Sequence, residues 1–292
     1  MAPQQIHTLS NRVMRLVVPG RMREWASGRK CREVLARRLG VGETAGLALA
    51  AGLAAVLTLA VVFTYLLDSV LDGEGIAAVD RPVSRWLAGH RDGWLTEVMR
   101  VITHAGDPGV LMVLAVAACA GVTWWKRSWL PIAVGVLGAG GIGLMVTAVK
   151  LVVGRSRPPL PFAAVTEDGY SFPSGHAAGI TVAVLLTAWM LTCWVTRSWN
   201  ARVLAWTSAV LLIGVVGFSR IYLGVHYLSD VAAGWVLGAV WAGTVALACG
   251  WWKAARGTDG NTRDGKGRVM QTPAHAGPAA PLGGGHRDEP AS

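Results

Sequence analysis

Charged side chains are scarce: Asp, Glu, Lys and Arg make up 15% of the 292 residues, where an ordinary soluble domain carries roughly 25%. With 53% hydrophobic residues, the chain has a membrane composition, and the apolar runs through its middle leave no room for an independent soluble core. Cysteine is also sparse. Cys31, Cys119, Cys193 and Cys249 show neither disulfide pairing nor metal-ligand spacing, and three lie inside apolar runs, where small buried apolar side chains are expected. There is no zinc-finger spacing, RNA-binding aromatic signature or other recognition module to accompany the net charge of +10, so no nucleic acid partner is expected. No internal repeat of solenoid or propeller period occurs. The first apolar run, 44–67, has spanning length rather than the length of a cleavable signal.

What is present are six apolar runs, approximately 44–67, 108–125, 129–149, 174–195, 203–218 and 227–252. About twenty apolar residues in a helix cross the roughly 30 Å hydrocarbon layer, and backbone groups in lipid must be satisfied within the segment. The expected fold is therefore all-α, a polytopic membrane bundle of about six transmembrane helices. The expected organisation is a basic arm over 1–43, a membrane domain over 44–252 and a disordered tail over 253–292, which is rich in Gly, Pro and charge.

Nine Lys or Arg fall between Arg12 and Arg38. Retention of basic residues on the cytoplasmic side places both termini there, with Lys126, Arg127, Arg197, Arg202, Lys253 and Arg256. The loops 68–107, 150–173 and 219–226 then face the other side. In the first of these, Ile76, Val79, Val83, Trp86 and Leu87 recur at helical spacing, consistent with either an interfacial helix or a packed cover. A second periodic stretch runs over 94–102.

Charge inside a span is costly. The span interiors are free of Asp, Glu, Lys and Arg apart from Asp230, which argues against an ion pathway. The polar residues gather at the outer ends of the last four spans: Lys150, Arg155 and Arg157 in "KLVVGRSRPP", Ser174, Gly175 and His176 in "PSGH", and Ser219, Arg220, His226 and Asp230 in "SRIYLGVHYLSD". Singly, each has an innocuous reading as a snorkelling cation, an N-cap or a helix pair. Together they suit a phosphoryl group. Ser174 at an N-cap leaves the amides of Gly175 and His176 at the positive end of a helix, and two Arg forks with one Lys match several equatorial oxygens. Asp230, one helical turn after His226, can hold one ring nitrogen and leave the other as a neutral nucleophile. His176, from another span, can serve as acid for the leaving oxygen, without a metal.

These residues resemble the type 2 phosphatidic acid phosphatase family, which is related to vanadium haloperoxidases and glucose-6-phosphatase. All three of its motifs occur: Lys150, six residues, then Arg157 and Pro158; Pro173 to His176; and Ser219 and Arg220, five residues, His226, three residues, Asp230. The resemblance covers 44–252. It implies that Lys150, Arg157, Ser174, Gly175 and Arg220 hold the phosphate, that His226 attacks phosphorus, that Asp230 positions His226, and that His176 protonates the leaving group, with no metal or other cofactor. Arg155 matches no motif position and is left to the local field or a lipid headgroup.

The expected activity is hydrolysis of a membrane lipid phosphate or diphosphate at the extracytoplasmic face of the cell membrane. A vanadate-dependent haloperoxidase and a noncatalytic lipid-binding or transport protein are the alternatives. The motifs read only the phosphate, so the lipid and the oligomeric state stay open.

Overall fold

A computed structural model describes residues 41–104, 106–159 and 162–267. The basic arm before Val41 and the tail beyond Gly267 lie outside the described residues, as does Cys31; the first part of the tail expected to be disordered, 253–267, is instead the end of a helix. Eight α-helices follow one another, and no strand occurs among the described residues. They are α1 (Val41–Asp72), α2 (Asp80–Gly89), α3 (Gly93–His104), α4 (Pro108–Lys126), α5 (Leu130–Val153), α6 (Gly175–Met190), α7 (Trp199–Tyr222) and α8 (Leu228–Gly267). A 3-10 turn, Gly75–Val79, precedes α2, and a π-helical turn, Leu191–Val195, extends α6.

Six segments are long and apolar enough to cross a bilayer: Gly46–Asp72, Gly109–Lys126, Leu130–Val153, Gly175–Val195, Trp199–Tyr222 and Leu228–Lys253. The chain is a multi-pass helical membrane protein, as its composition requires. Two boundaries differ from the apolar runs in the sequence. The third span continues to Val153 and takes Lys150 into its last turn, and the fifth continues to Tyr222 and takes in Ser219 and Arg220. A hydrophobicity run stops at the first charged residue, whereas helix hydrogen bonding continues wherever that charge finds a polar pocket.

The packed centre is formed by α5, α6 and α8, through Val134, Ile142, Val182, Leu186, Leu237 and Val245. Small residues bring the backbones together there. A Cβ on Gly234 would lie 2.7 Å from the Ser174 carbonyl, and one on Gly238 would lie 2.7 Å from that of Ala178. This contact sets the starts of α6 and α8 side by side, and the Ser174 amide donates to the Asp230 carbonyl at 3.0 Å. By contrast, α1 leaves Leu47, Leu57 and Val61 exposed, as a lipid-facing helix must.

The two periodic stretches of the first outer loop are α2 and α3. They form a packed cover rather than a free interfacial helix: Asp80, Ser84 and Leu87 of α2 and Met99 and Thr103 of α3 are buried. Leu87 and Met99 join Ile221, Leu223 and Val231 in one apolar cluster.

Candidate active site

The ends of α5, α6, α7 and α8 meet under this cover: α5 and α6 each bring one motif, and the end of α7 and the start of α8 share the third. Gly154 closes α5 in the left-handed region (φ 62°), with its amide bonded to the Lys150 carbonyl at 3.0 Å, so the following residues turn back over the helix end. Arg155 and Arg157 therefore reach the same region as Lys150. At the start of α6, Ser174 is the N-cap, its hydroxyl accepting from the Ala177 amide at 3.4 Å. Its side chain is buried and serves the helix, leaving Gly175 and His176 on the cavity wall.

His226 precedes α8 in a tight turn. Gly224 adopts φ 71°, and a Cβ there would sit 1.9 Å from the Phe162 carbonyl oxygen. Only glycine fits this approach. Arg91 fastens the turn to the 162–165 segment by donating to the Tyr222 carbonyl at 2.7 Å and the Phe162 carbonyl at 2.5 Å.

The His226 ring is 1% exposed. Its Nδ1 faces Asp230 Oδ2 at 3.6 Å and Ser171 Oγ at 3.5 Å, and its Nε2 lies 3.2 Å from Arg157 Nη1. An arginine N–H can only donate, so Nε2 meets it as a lone pair and the proton belongs on Nδ1. Burial, reinforced by the Arg220 and Arg157 charges and opposed by Asp230, pushes the imidazole down to about 4. The ring is neutral at physiological pH, with its basic nitrogen toward the cations.

Asp230 is fully buried and held from several directions. Its Oδ2 accepts from the Tyr227 amide at 2.9 Å, capping the helix it begins, and from the Ser171 hydroxyl. Oδ1 accepts from Arg155 Nη1 at 2.6 Å. The same guanidinium donates to Ser229 Oγ at 2.7 Å and, through Nη2, to Asp80 Oδ2 at 2.7 Å. It also lies over the Tyr227 ring, 4.4 Å from the centroid. Arg155 thus turns inward, between two buried carboxylates, which fits the local-field alternative rather than the headgroup one.

Arg220 is 1% exposed, and its Nη1 donates to Thr103 Oγ1 of α3 at 2.6 Å. Its Nε is buried without a hydrogen-bond partner among the described residues. Its Nη2 meets the Glu167 carboxylate, whose other oxygen lies 3.1 Å from Arg157 Nη1. Burial opposes ionisation of Glu167 most strongly, but the charge and hydrogen bond of Arg220 together with neighbouring groups outweigh it and hold the carboxyl below the usual carboxylate range. A carboxylate of the protein itself therefore bridges the two motif arginines.

Lys150, Arg157, Glu167, Gly175, His176 and His226 line the polar end of one cavity of about 510 Å³. Its remainder is apolar, with Leu111, Ala115, Val134, Gly143, Val182 and Met190 from α4, α5 and α6 on its walls. Arg220, Ser174 and Asp230 stand behind this wall. Among the described residues, no group of three or more His, Cys, Asp or Glu side chains is placed to hold a metal ion. Ser171, Glu167, Asp80, Thr103 and Asp107, which touches His176, were not marked by the motifs. Only Ser171 stood close to one in the sequence, two residues before "PSGH".

Comparison with known proteins points to one family. The PAP2 superfamily model matches residues 128–254. Phosphatidylglycerophosphatase B of Bacillus subtilis is 29% identical over 180 residues, 61% of this chain and 86% of the relative. Decaprenylphosphoryl-5-phosphoribose phosphatase of Mycobacterium tuberculosis is 34% identical over 144 residues, 48% of this chain and 72% of the relative. Among solved structures, a transmembrane PAP2-type phosphatidylglycerolphosphate phosphatase from Bacillus subtilis matches with a TM-score of 0.61 and 28% identity, over 65% of this chain and 93% of the other. By these matches and by its fold, the chain belongs to the PAP2 superfamily and is a hydrolase of the phosphatase class.

Proposed function

We propose that this phosphatase removes phosphate from a membrane lipid phosphate or diphosphate through a covalent phosphohistidine on His226. The observation that carries the reading is the neutral, buried His226, with its basic Nε2 among cations at the polar end of an otherwise apolar cavity. A lipid fits such a site: headgroup at the cationic end, one chain along α4, α5 and α6.

On this reading Lys150 and Arg157 bind the phosphate oxygens from the cavity wall, Arg220 joins them when the phosphate displaces Glu167 from it, and the amides of Gly175 and His176 at the helix start add the positive end of α6. Ser174 contributes by holding that start in place. His226 Nε2 attacks phosphorus, the lipid oxygen departs with a proton from His176, and His176 then accepts a proton from the water that cleaves the phosphorus–nitrogen bond. Asp230 holds the Nδ1 proton and so fixes the tautomer. No step calls on a metal. The named relatives act on phosphatidylglycerol phosphate and a decaprenyl phosphosugar, which makes phosphatidylglycerol phosphate, phosphatidic acid and undecaprenyl diphosphate the substrates to compare.

The opposite end of the bundle supports the proposed orientation. Lys126, Arg197, Arg202 and Lys253 surround a second cavity there, as cytoplasmic loops do, and the catalytic end then faces outward. The deciding experiment measures phosphate release from the three lipids by purified protein in detergent, with chelator present, beside His226→Ala. Acid-labile phosphate trapped on the wild type and absent from the variant is expected. Turnover that persists in His226→Ala, or that requires added magnesium, would overturn the mechanism.

A further inference from the structure

The proposed acid, His176, has a carboxylate partner outside the three motifs. Asp107 Oδ1 lies 2.8 Å from His176 Nε2, and Oδ2 lies 2.7 Å from Nδ1 of His104. Asp107 occupies the N-cap of α4, where an aspartate ordinarily accepts from the amides of its own first turn. Its side chain makes no such bond; both oxygens are turned toward imidazoles instead. Gly106 lets this loop press on the ring. A Cβ at that position would meet Val216 Cγ1 at 2.5 Å, the Thr103 carbonyl at 3.3 Å and His176 Cδ2 at 3.4 Å.

We infer that Asp107 is a positioning residue for His176, accepting the Nε2 proton so that Nδ1 is the nitrogen presented to the lipid oxygen. The inference rests on the proposed role of His176 as acid. In the first half-reaction the bond from phosphorus to the lipid oxygen breaks as that to His226 Nε2 forms, and the proton on His176 Nδ1 goes to the departing oxygen. In the second, Nδ1 takes a proton from water while hydroxide displaces His226. The Nε2 proton stays on the side of Asp107 throughout. His104, exposed at the protein surface, holds the second oxygen and keeps the carboxylate from rotating away. Glu167 and Arg220 are the other charged groups acting on His176, and neither lies in this loop.

Leaving-group chemistry separates this role from a structural one. An alkoxide leaving a lipid phosphate needs a proton in the transition state, whereas p-nitrophenolate departs without one. In Asp107→Asn, kcat/KM for a short-chain phosphatidic acid should fall roughly tenfold or more, within the range that general acid catalysis supplies, while that for p-nitrophenyl phosphate should barely change. Gly106→Ala, which pushes the loop off His176 and leaves the carboxylate intact, should show the same selectivity and keeps the test valid if the first variant does not fold. Equal losses on both substrates, or none on either, would overturn the inference. His176→Ala is the reference. Selective loss there without it in the two loop variants removes Asp107 alone, and no selective loss in His176→Ala removes the proposed acid and this inference with it.

Discussion

Arg155 Nη1 lies 2.6 Å from Asp230 Oδ1, and the guanidinium that makes this contact also reaches Asp80 on α2. The carboxylate that orients the proposed nucleophile is therefore tied to the cover helix by one side chain. Removing one partner of a buried pair costs more than the pair contributes, because the other charge is left uncompensated. Arg155→Ala should lower kcat by at least roughly tenfold, and Asp80→Asn by less. A double-mutant cycle between them should show coupling of about 0.5 to 3 kcal/mol. Additive losses in kcat would mean that the two residues act separately.

The neutral state of His226 predicts an acid limb. With burial holding the imidazole at about 4, kcat/KM should show no decline as pH falls through the ordinary histidine range, where the proposed acid His176 gains the proton it donates, and should fall only near pH 4. The same displacement affects stability. The unfolded chain binds the proton more readily than the native site does, so the stability that this group contributes is complete above about pH 6.5, the unperturbed histidine value, and is lost as pH falls from there toward 4. An acid limb centred on 6.5 would contradict the placement of Nε2 among cations.

Glu167 is paired with Arg157 and Arg220, the two arginines that hold the phosphate on the proposed reading. Glu167→Gln should therefore tighten inhibition by orthophosphate and vanadate. A change of roughly tenfold, equivalent to about 1.4 kcal/mol, is expected in the inhibition constants. Unchanged constants would show that the carboxylate does not compete.

Loss of either arginine should be severe. A preorganised donor aimed at developing oxyanion charge is typically worth about 2.7 to 4 kcal/mol, so Arg157→Ala and Arg220→Ala should each lose on the order of a hundredfold or more in kcat. Arg157 also donates to the Val225 carbonyl at 2.9 Å and the Gly169 carbonyl at 3.1 Å. A thermal midpoint measured in detergent would separate lost chemistry from a loosened loop.

Gly224 provides a structural control. With φ 71° and the Phe162 carbonyl 1.9 Å from a Cβ, Gly224→Ala should lower the thermal midpoint and reduce activity together, because the turn that presents His226 cannot keep its shape. Unaltered stability would be inconsistent with so close an approach.

The spans were legible because a bilayer imposes length and hydropathy on every crossing segment, and the motif residues stood out because a cation or imidazole beside an apolar run demands an explanation. Arg155, Asp80 and Glu167 were harder to place. In the sequence Asp80 is a polar residue in a periodic stretch, and nothing there shows that 149 residues later Ser229 offers its amide to the same carboxylate at 2.9 Å. The contact depends on α2 folding back over the helix ends. Asp107 looks like an ordinary helix cap until its side chain is seen to make no cap bond. Ser174 shows the converse, since its hydroxyl serves the helix start rather than the open cavity.

The carboxylate clasp on Arg157 and Arg220 bears on how the resting protein meets its surroundings. An uncovered pair of guanidinium groups beside Lys150 would gather whatever small anion the medium offers, including the orthophosphate that each cycle releases. With an internal counterion already seated, free anions must first evict it, whereas the lipid substrate proposed above would bring its chain into the apolar groove and gain contacts that no inorganic ion can make. Discrimination between substrate and spent product then begins before any bond is broken.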